Sequence, residues 1–361
     1  MSNVLPYISI PQRQQIMRTR VCITIDTEFS IAGAFTNAGQ QPVAEPLVWC
    51  NVDGQSEGLG FMLKTFAKYD VQATFFVETV HRFWFKNDPM RPIAQQIRAE
   101  GHEVQLHTHP GWSLFAHQDW WDQARAQRGR DDFKARTVAS SVALIEQGIA
   151  TFKEWDLPRP LAFRSGNLQH DDNLYQALAQ TGIPYSSNVG VGIYDSGDPR
   201  YTLYSGQHER HGVRELPVLT FSDWTIGNKR HIKSLTIAGS SFAETRSLLE
   251  KARAAGIPLV VILTHPFEFV HNHDITFAQN RRHDLTQRRL VQLCKFLKDN
   301  DDRFDACGLA QAAAALPAPT AAPANTLLEG ALWQALPRMV AQVAHDKWGH
   351  WMLARSLGKL A

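Results

Sequence analysis

GLGFMLKTFAKYDVQATFFV, residues 58–77, is the stretch whose reading decides the fold. Gly58–Tyr69 carries apolar residues at helical spacing, and Val71–Val77 is a short run of β-branched and aromatic residues of the kind that forms a strand. The same alternation recurs on both sides. Strands are expected at Val21–Asp26, His102–His107, Leu161–Arg164, Tyr185–Asn188, Val213–Pro217 and Leu259–Thr264. Between them, Pro92–Glu100, Thr137–Trp155, Asp172–Thr181, Phe242–Ala255 and Leu285–Lys298 read as helices. Several end at a glycine, as at Gly101, Gly182 and Gly256, where a helix stop is expected. Strand and helix in this order predict an α/β fold with parallel strands joined by crossover helices. No repeat of fixed period is present, which argues against a solenoid.

At 361 residues with 44% apolar content the chain can bury a large core. The net charge of +2 and pI of about 8.3 leave no strong overall field. Without a Lys/Arg block, nucleic acid is not expected as a partner. The four cysteines, Cys22, Cys50, Cys294 and Cys307, form no C-x-x-C pair and read as free core thiols. The first residues lack the apolar stretch of a secretion signal, so a cytoplasmic protein is expected.

The domain reading follows from composition. Residues 1–19 form an N-terminal extension, 20–316 the main domain, 317–325 an Ala/Pro linker, and 326–361 an amphipathic helical tail interrupted by Pro337. Trp333, Leu336, Trp348 and Trp351 alternate in that tail with Arg338, Lys347, Arg355 and Lys359. Such a segment suits docking at a membrane surface or on a protein partner, and equally packing against the main domain.

Four strand ends carry the chemistry. In Asp26-Thr27-Glu28 two carboxylates stand at i, i+2, which in extended backbone places them on one face. In His107-Thr108-His109 two imidazoles repeat that spacing after an apolar strand. One histidine alone is more often a core residue, but a pair can grip an ion. Two histidines and one carboxylate leave a position open for water, so His107, His109 and one of the two acids are the candidate ligands of a divalent metal, and the other carboxylate is free to act as a base. Arg164, at a third strand end, is expected to pair with Asp26. His265, in Leu263-Thr264-His265-Pro266, adds a fourth titratable side chain.

In this order the motifs resemble those of the NodB-homology polysaccharide deacetylases, carbohydrate esterase family 4, over roughly residues 20 to 310. The resemblance implies a distorted (β/α)7-type barrel, here with a C-terminal helical extension, and a divalent metal. Zinc is favoured; cobalt or nickel also suit such donors. It implies removal of N-acetyl groups from an N-acetylated sugar or glycan, with Asp26 as base, Arg164 as its partner, Glu28 and His107 as ligands and His265 as acid. Two departures stand out. The usual adjacent aspartates are replaced by Asp-x-Glu, and the position four after the first histidine is Gly111, so His109 must substitute for the family's second histidine. These departures resemble the branch associated with lipopolysaccharide and surface-polysaccharide biosynthesis. Trp112, Glu215 and Trp224 are candidate sugar contacts; a core tryptophan and a fold-stabilising ion pair are the competing readings, and Glu215 could instead orient His265. An O-acetyl esterase, or another amide hydrolase on the same barrel, and a non-catalytic glycan-binding partner are the competing functions.

Overall fold

The computed structural model describes residues 18–37, 39–126, 133–227, 229–272, 274–319 and 323–331, with Trp333 and Arg338. Most of the extension expected over 1–19, and the helical tail from 339 onward, lie outside the described residues.

Strand β1, Thr19–Thr27, is apolar or threonine along nearly its whole length and is buried on both faces, as expected of a parallel strand covered on each side. The strands that follow in the sheet are β2 (Thr74–Glu78), β3 (Glu103–Thr108), β4 (Ala162–Ser165), β5 (Tyr185–Ser186), β6 (Val213–Glu215) and β7 (Leu259–Thr264). They run parallel in the spatial order β7-β1-β2-β3-β4-β5-β6, and His208–Arg210 adds an antiparallel edge beyond β6. Val218 then bridges Val261 of β7, so the sheet curls back toward its first strand. The helices Leu59–Tyr69, Met90–Ala99, Val138–Glu154, Asp172–Gln180, Phe242–Ala254 and Asp284–Asp299 connect the strands. The expected distorted (β/α)7-type barrel is thus present as a curled α/β sheet.

Alternation along β1 divides the core. Val21, Ile23 and Ile25 join the large cluster with the surrounding helices, whereas Cys22 points to a smaller one with Val261, Leu263 and Leu309. Each large side chain buried this way contributes roughly 1.5–3 kcal/mol. All four cysteines are free and buried. Among the described residues no helix is long and apolar enough to cross a membrane.

Several elements differ from the sequence reading. The strand expected from Val71 begins at Thr74, because Val71 still donates its amide to Phe66 and completes the end of the preceding helix. The strand expected to reach Pro217 stops at Glu215, as a residue without an N–H cannot continue a ladder. Thr220–Ile226 and Lys229–Ser234 form a hairpin where no strand was read, and Leu328–Glu329, counted in the helical tail, adds to it in parallel. Arg338 anchors the chain further, bonding Asp223 at 2.6 Å and Glu244 at 2.9 Å.

Leu309–Ala315 is a short helix at the amino ends of the strands. Glu103 fastens it: Oε2 accepts from Thr74 Oγ1 at 2.8 Å and Ala310 N at 3.0 Å, and Oε1 accepts from Gln311 N at 3.2 Å. An acid facing the first amides of a helix satisfies donors that have no intrahelical partner. Glu103→Ala is expected to lower unfolding stability by about 2 kcal/mol in denaturant titration; unchanged stability would show that the helix is held by its apolar face alone.

Candidate active site

Parallel register brings the strand ends into one row: Glu78 pairs with His107 and His107 with Arg164 along β2, β3 and β4. Asp26 lies on β1, beside β2 and β7. The i, i+2 spacing sets Asp26 and Glu28 toward the same side, and both reach the row.

Arg164 is fully buried. Its Nη1 donates to Asp26 Oδ1 at 2.8 Å and to Thr24 Oγ1 at 2.9 Å, its Nε to the Ser187 carbonyl at 2.9 Å, and its Nη2 to Ser187 Oγ at 2.8 Å. The guanidinium also lies 4.3 Å above the Phe76 ring. Nearly every donor is therefore used, which is what makes a buried guanidinium tolerable.

Glu28 Oε2 is 2.9 Å from His107 Nε2 and 2.7 Å from His109 Nε2. The other nitrogen of His107, Nδ1, lies 2.9 Å from the Arg164 carbonyl, which can only accept. A proton on Nδ1 leaves the Nε2 lone pair facing a carboxylate lone pair, an arrangement that needs a proton or a cation between them. Burial works to raise the Glu28 carboxyl, but the two imidazoles overcome it and hold it well below the usual carboxylate range. Candidate ligand atoms of Glu28, His107 and His109 all lie within 4.8 Å of one another. Ligands about 2.0–2.2 Å from a tetrahedral ion stand about 3.3 Å apart, so shifts of a few tenths of an ångström would admit one. The residues fit a divalent metal with a position left for water.

His265 follows β7. Its Nδ1 is 3.0 Å from Glu268 Oε1, its Nε2 3.9 Å from Asp26 Oδ2, and its ring stacks on Phe267. Glu268 Oε2 accepts from Thr264 Oγ1 at 2.6 Å, so a single turn after Pro266 fixes both the carboxylate and the imidazole. Burial opposes charge on this ring, but Glu268, Glu28 and Asp26 more than offset it and push its pKa up to about 9.

The structure thus brings together Asp26, Glu28, His107, His109, Arg164 and His265. The three expected sugar contacts are placed differently. Trp112 is 1% exposed and packs among Phe85 and Phe115 in the core. Glu215 is fully buried, and among the described residues neither an ion pair nor His265 is its partner. Its Oε2 accepts from Tyr175 at 2.9 Å and Ser186 at 2.5 Å, and its Oε1 from the amides of Asn188 and Val189, each at 2.9 Å. It holds the turn that presents Ser187 to Arg164. Trp224 is partly buried and stacks on His231 of the neighbouring strand.

Sequence reasoning missed Glu78, Glu268 and Gly166. Glu78 ended an apolar run, the same signal that singled out Asp26. Glu268 lay three residues past His265 across a proline, a spacing that a tight turn closes. Gly166 gave no signal beyond being a glycine next to Arg164 and Ser165.

A buried carboxylate held by arginine, an imidazole backed by a carboxylate, and two histidines sharing a third acid meet at the carboxyl ends of a curled α/β sheet. Residues 45–186 match the family model described as polysaccharide deacetylase. No curated protein matches the chain. Among solved structures, a Mycobacterium smegmatis chain assigned to the polysaccharide deacetylases is 15% identical, with 89% of this chain and 100% of that one covered and a TM-score of 0.46. A mutant of the peptidoglycan deacetylase PdaC from Bacillus subtilis is 12% identical, with 82% and 91% covered and a TM-score of 0.38. A family 4 carbohydrate esterase from Streptomyces lividans in complex with acetate is 12% identical, with 78% and 89% covered and a TM-score of 0.36.

A histidine whose pKa rises from 6.5 to about 9 on folding stabilises the metal-free protein fully below pH 6.5. That contribution is lost as pH rises through about 9. Thermal melting of the metal-free wild type is therefore expected to weaken from pH 6.5 to 9, and Glu268→Gln to flatten the decline. Parallel profiles for the two proteins would contradict the pairing.

Proposed function

We propose that this chain removes acetyl groups from N-acetylated sugar units of a glycan, using a divalent metal, zinc by preference, held by Glu28, His107 and His109. The observation that carries the reading is the convergence of Asp26 and His265, 3.9 Å apart, beside the shared Glu28 carboxylate. Asp26, oriented by Arg164, takes the proton of the attacking water. His265, charged at neutral pH and with its Nδ1 held by Glu268, gives the Nε2 proton to the departing sugar amine. Bound in the site, the metal supplies a lowered water pKa and polarisation of the acetyl carbonyl. The proposed substrate is a sugar of a surface polysaccharide, or its precursor, handled in the cytoplasm, on the resemblance of the Asp-x-Glu and His-x-His departures to the biosynthetic branch of these deacetylases.

Incubating metal-loaded protein with N-acetylglucosamine oligomers and with O-acetylated glycans, and weighing the products by mass spectrometry, tests the substrate. Loss of acetyl from the N-acetylated set is expected; loss confined to the O-acetylated set would make the chain an esterase. Asp26→Asn is expected to keep the metal and slow turnover ~10²–10⁴-fold, while Glu28→Gln loses the metal. The opposite pattern in metal analysis would exchange the two roles.

A further inference from the structure

His109 stands outside the strand that delivers His107: β3 ends at Thr108, and the chain turns at Pro110 into a short helical segment. A ligand on such a turn is loose unless something beyond the strand holds it, and metal sites lose affinity steeply when the surrounding shell is disturbed. Two features of this chain hold it. The carboxylate of Glu78, which is fully buried at the end of β2, accepts from the His109 backbone N–H at 2.6 Å with one oxygen and from Val80 N at 2.8 Å with the other. Both oxygens of the acid are thus spent on main-chain amides, one of them the amide of the ligand itself.

The second feature is Gly166, the first residue after β4 ends at Ser165. A Cβ at this position would lie 2.5 Å from His109 Nδ1 and 2.7 Å from its Cγ. The imidazole therefore rests directly on the Gly166 backbone, while its Nε2 meets Glu28. The two residues after it, Asn167 and Leu168, have φ of 55° and 56°, left-handed conformations uncommon for residues with side chains.

We infer that Glu78 and Gly166 are positioning residues that make His109 the second imidazole ligand: Glu78 fixes its backbone, and Gly166 vacates the space its ring fills. This rests on the metal site proposed above. It accounts for a histidine two residues after the first, rather than four, meeting the same carboxylate. Glu78 acts in this role through His109, its two oxygens accepting from the amides of Val80 and His109.

The test is the dissociation constant for Zn²⁺ by competition with a chelating indicator, together with the visible spectrum of the Co²⁺-loaded protein, for the wild type, Glu78→Gln and Gly166→Ala. Glu103→Ala, at the far end of β3, is the comparison for general loss of stability. A glutamine at 78 can accept with only one of its two atoms and turns a donor on the second amide. Glu78→Gln and Gly166→Ala are each expected to weaken Zn²⁺ binding ~10–100-fold, the range typical of lost outer-shell partners, and to change the Co²⁺ bands. Glu103→Ala is expected to melt earlier with Zn²⁺ affinity unchanged. If Glu78→Gln does not fold, Gly166→Ala decides by itself. Wild-type affinity and spectrum in the folded variants would overturn the inference, whereas a wild type that binds neither ion would overturn the metal site itself.

Discussion

The buried guanidinium of Arg164 is the constraint on which the site depends. Removing it from water costs several kcal/mol unless its charge and donors are met, and here Asp26, Thr24 and both polar groups of Ser187 meet them. The same residue's carbonyl faces His107 Nδ1 and so decides which nitrogen the ring offers to Glu28. One residue on β4 thereby sets the position of the Asp26 carboxylate through its side chain and the orientation of a candidate ligand through its backbone. Glu215 extends the dependence outward, since its four accepted hydrogen bonds hold the turn that carries Ser187.

Around that anchor the charges form a chain of pairs. Asp26 lies between Arg164 and His265, Glu28 between His107 and His109, and Glu268 behind His265. Three carboxylates and three imidazoles within one cleft would repel or protonate at random if scattered. Alternation of acid with base gives each carboxylate a cationic or N–H partner and fixes the orientation of each ring, which is what directional proton transfer requires. The arrangement also explains why the i, i+2 spacing matters: it sends Asp26 to the arginine and Glu28 to the histidines from one strand end.

The strands and long helices were legible in the sequence because period and punctuation are local signals. Leu259–Thr264 coincides with its expected bounds, and the helix expected over Asp172–Thr181 differs by one residue at its end. The hairpin Thr220–Ile226 with Lys229–Ser234 was not legible, since its strands mix polar and apolar residues without a clear buried face. The six strand-end residues of the site could be read because each interrupts an apolar run with a titratable group. The positioning residues could not, because their role lies in contacts across the sheet: Glu78 with an amide of the next strand's turn, Gly166 with a ring above it. Trp112 shows the converse error, a residue type suited to sugars whose burial among aromatics removes it from any ligand.

The central claim is that Glu28, His107 and His109 bind one divalent ion. Anomalous scattering at the zinc edge from a crystal grown with zinc tests it most directly. The account predicts a single strong peak about 2.0–2.2 Å from Glu28 Oε2, His107 Nε2 and His109 Nε2. A peak bound elsewhere, or imidazoles still hydrogen-bonded to Glu28 with no peak between them at saturating zinc, would contradict it.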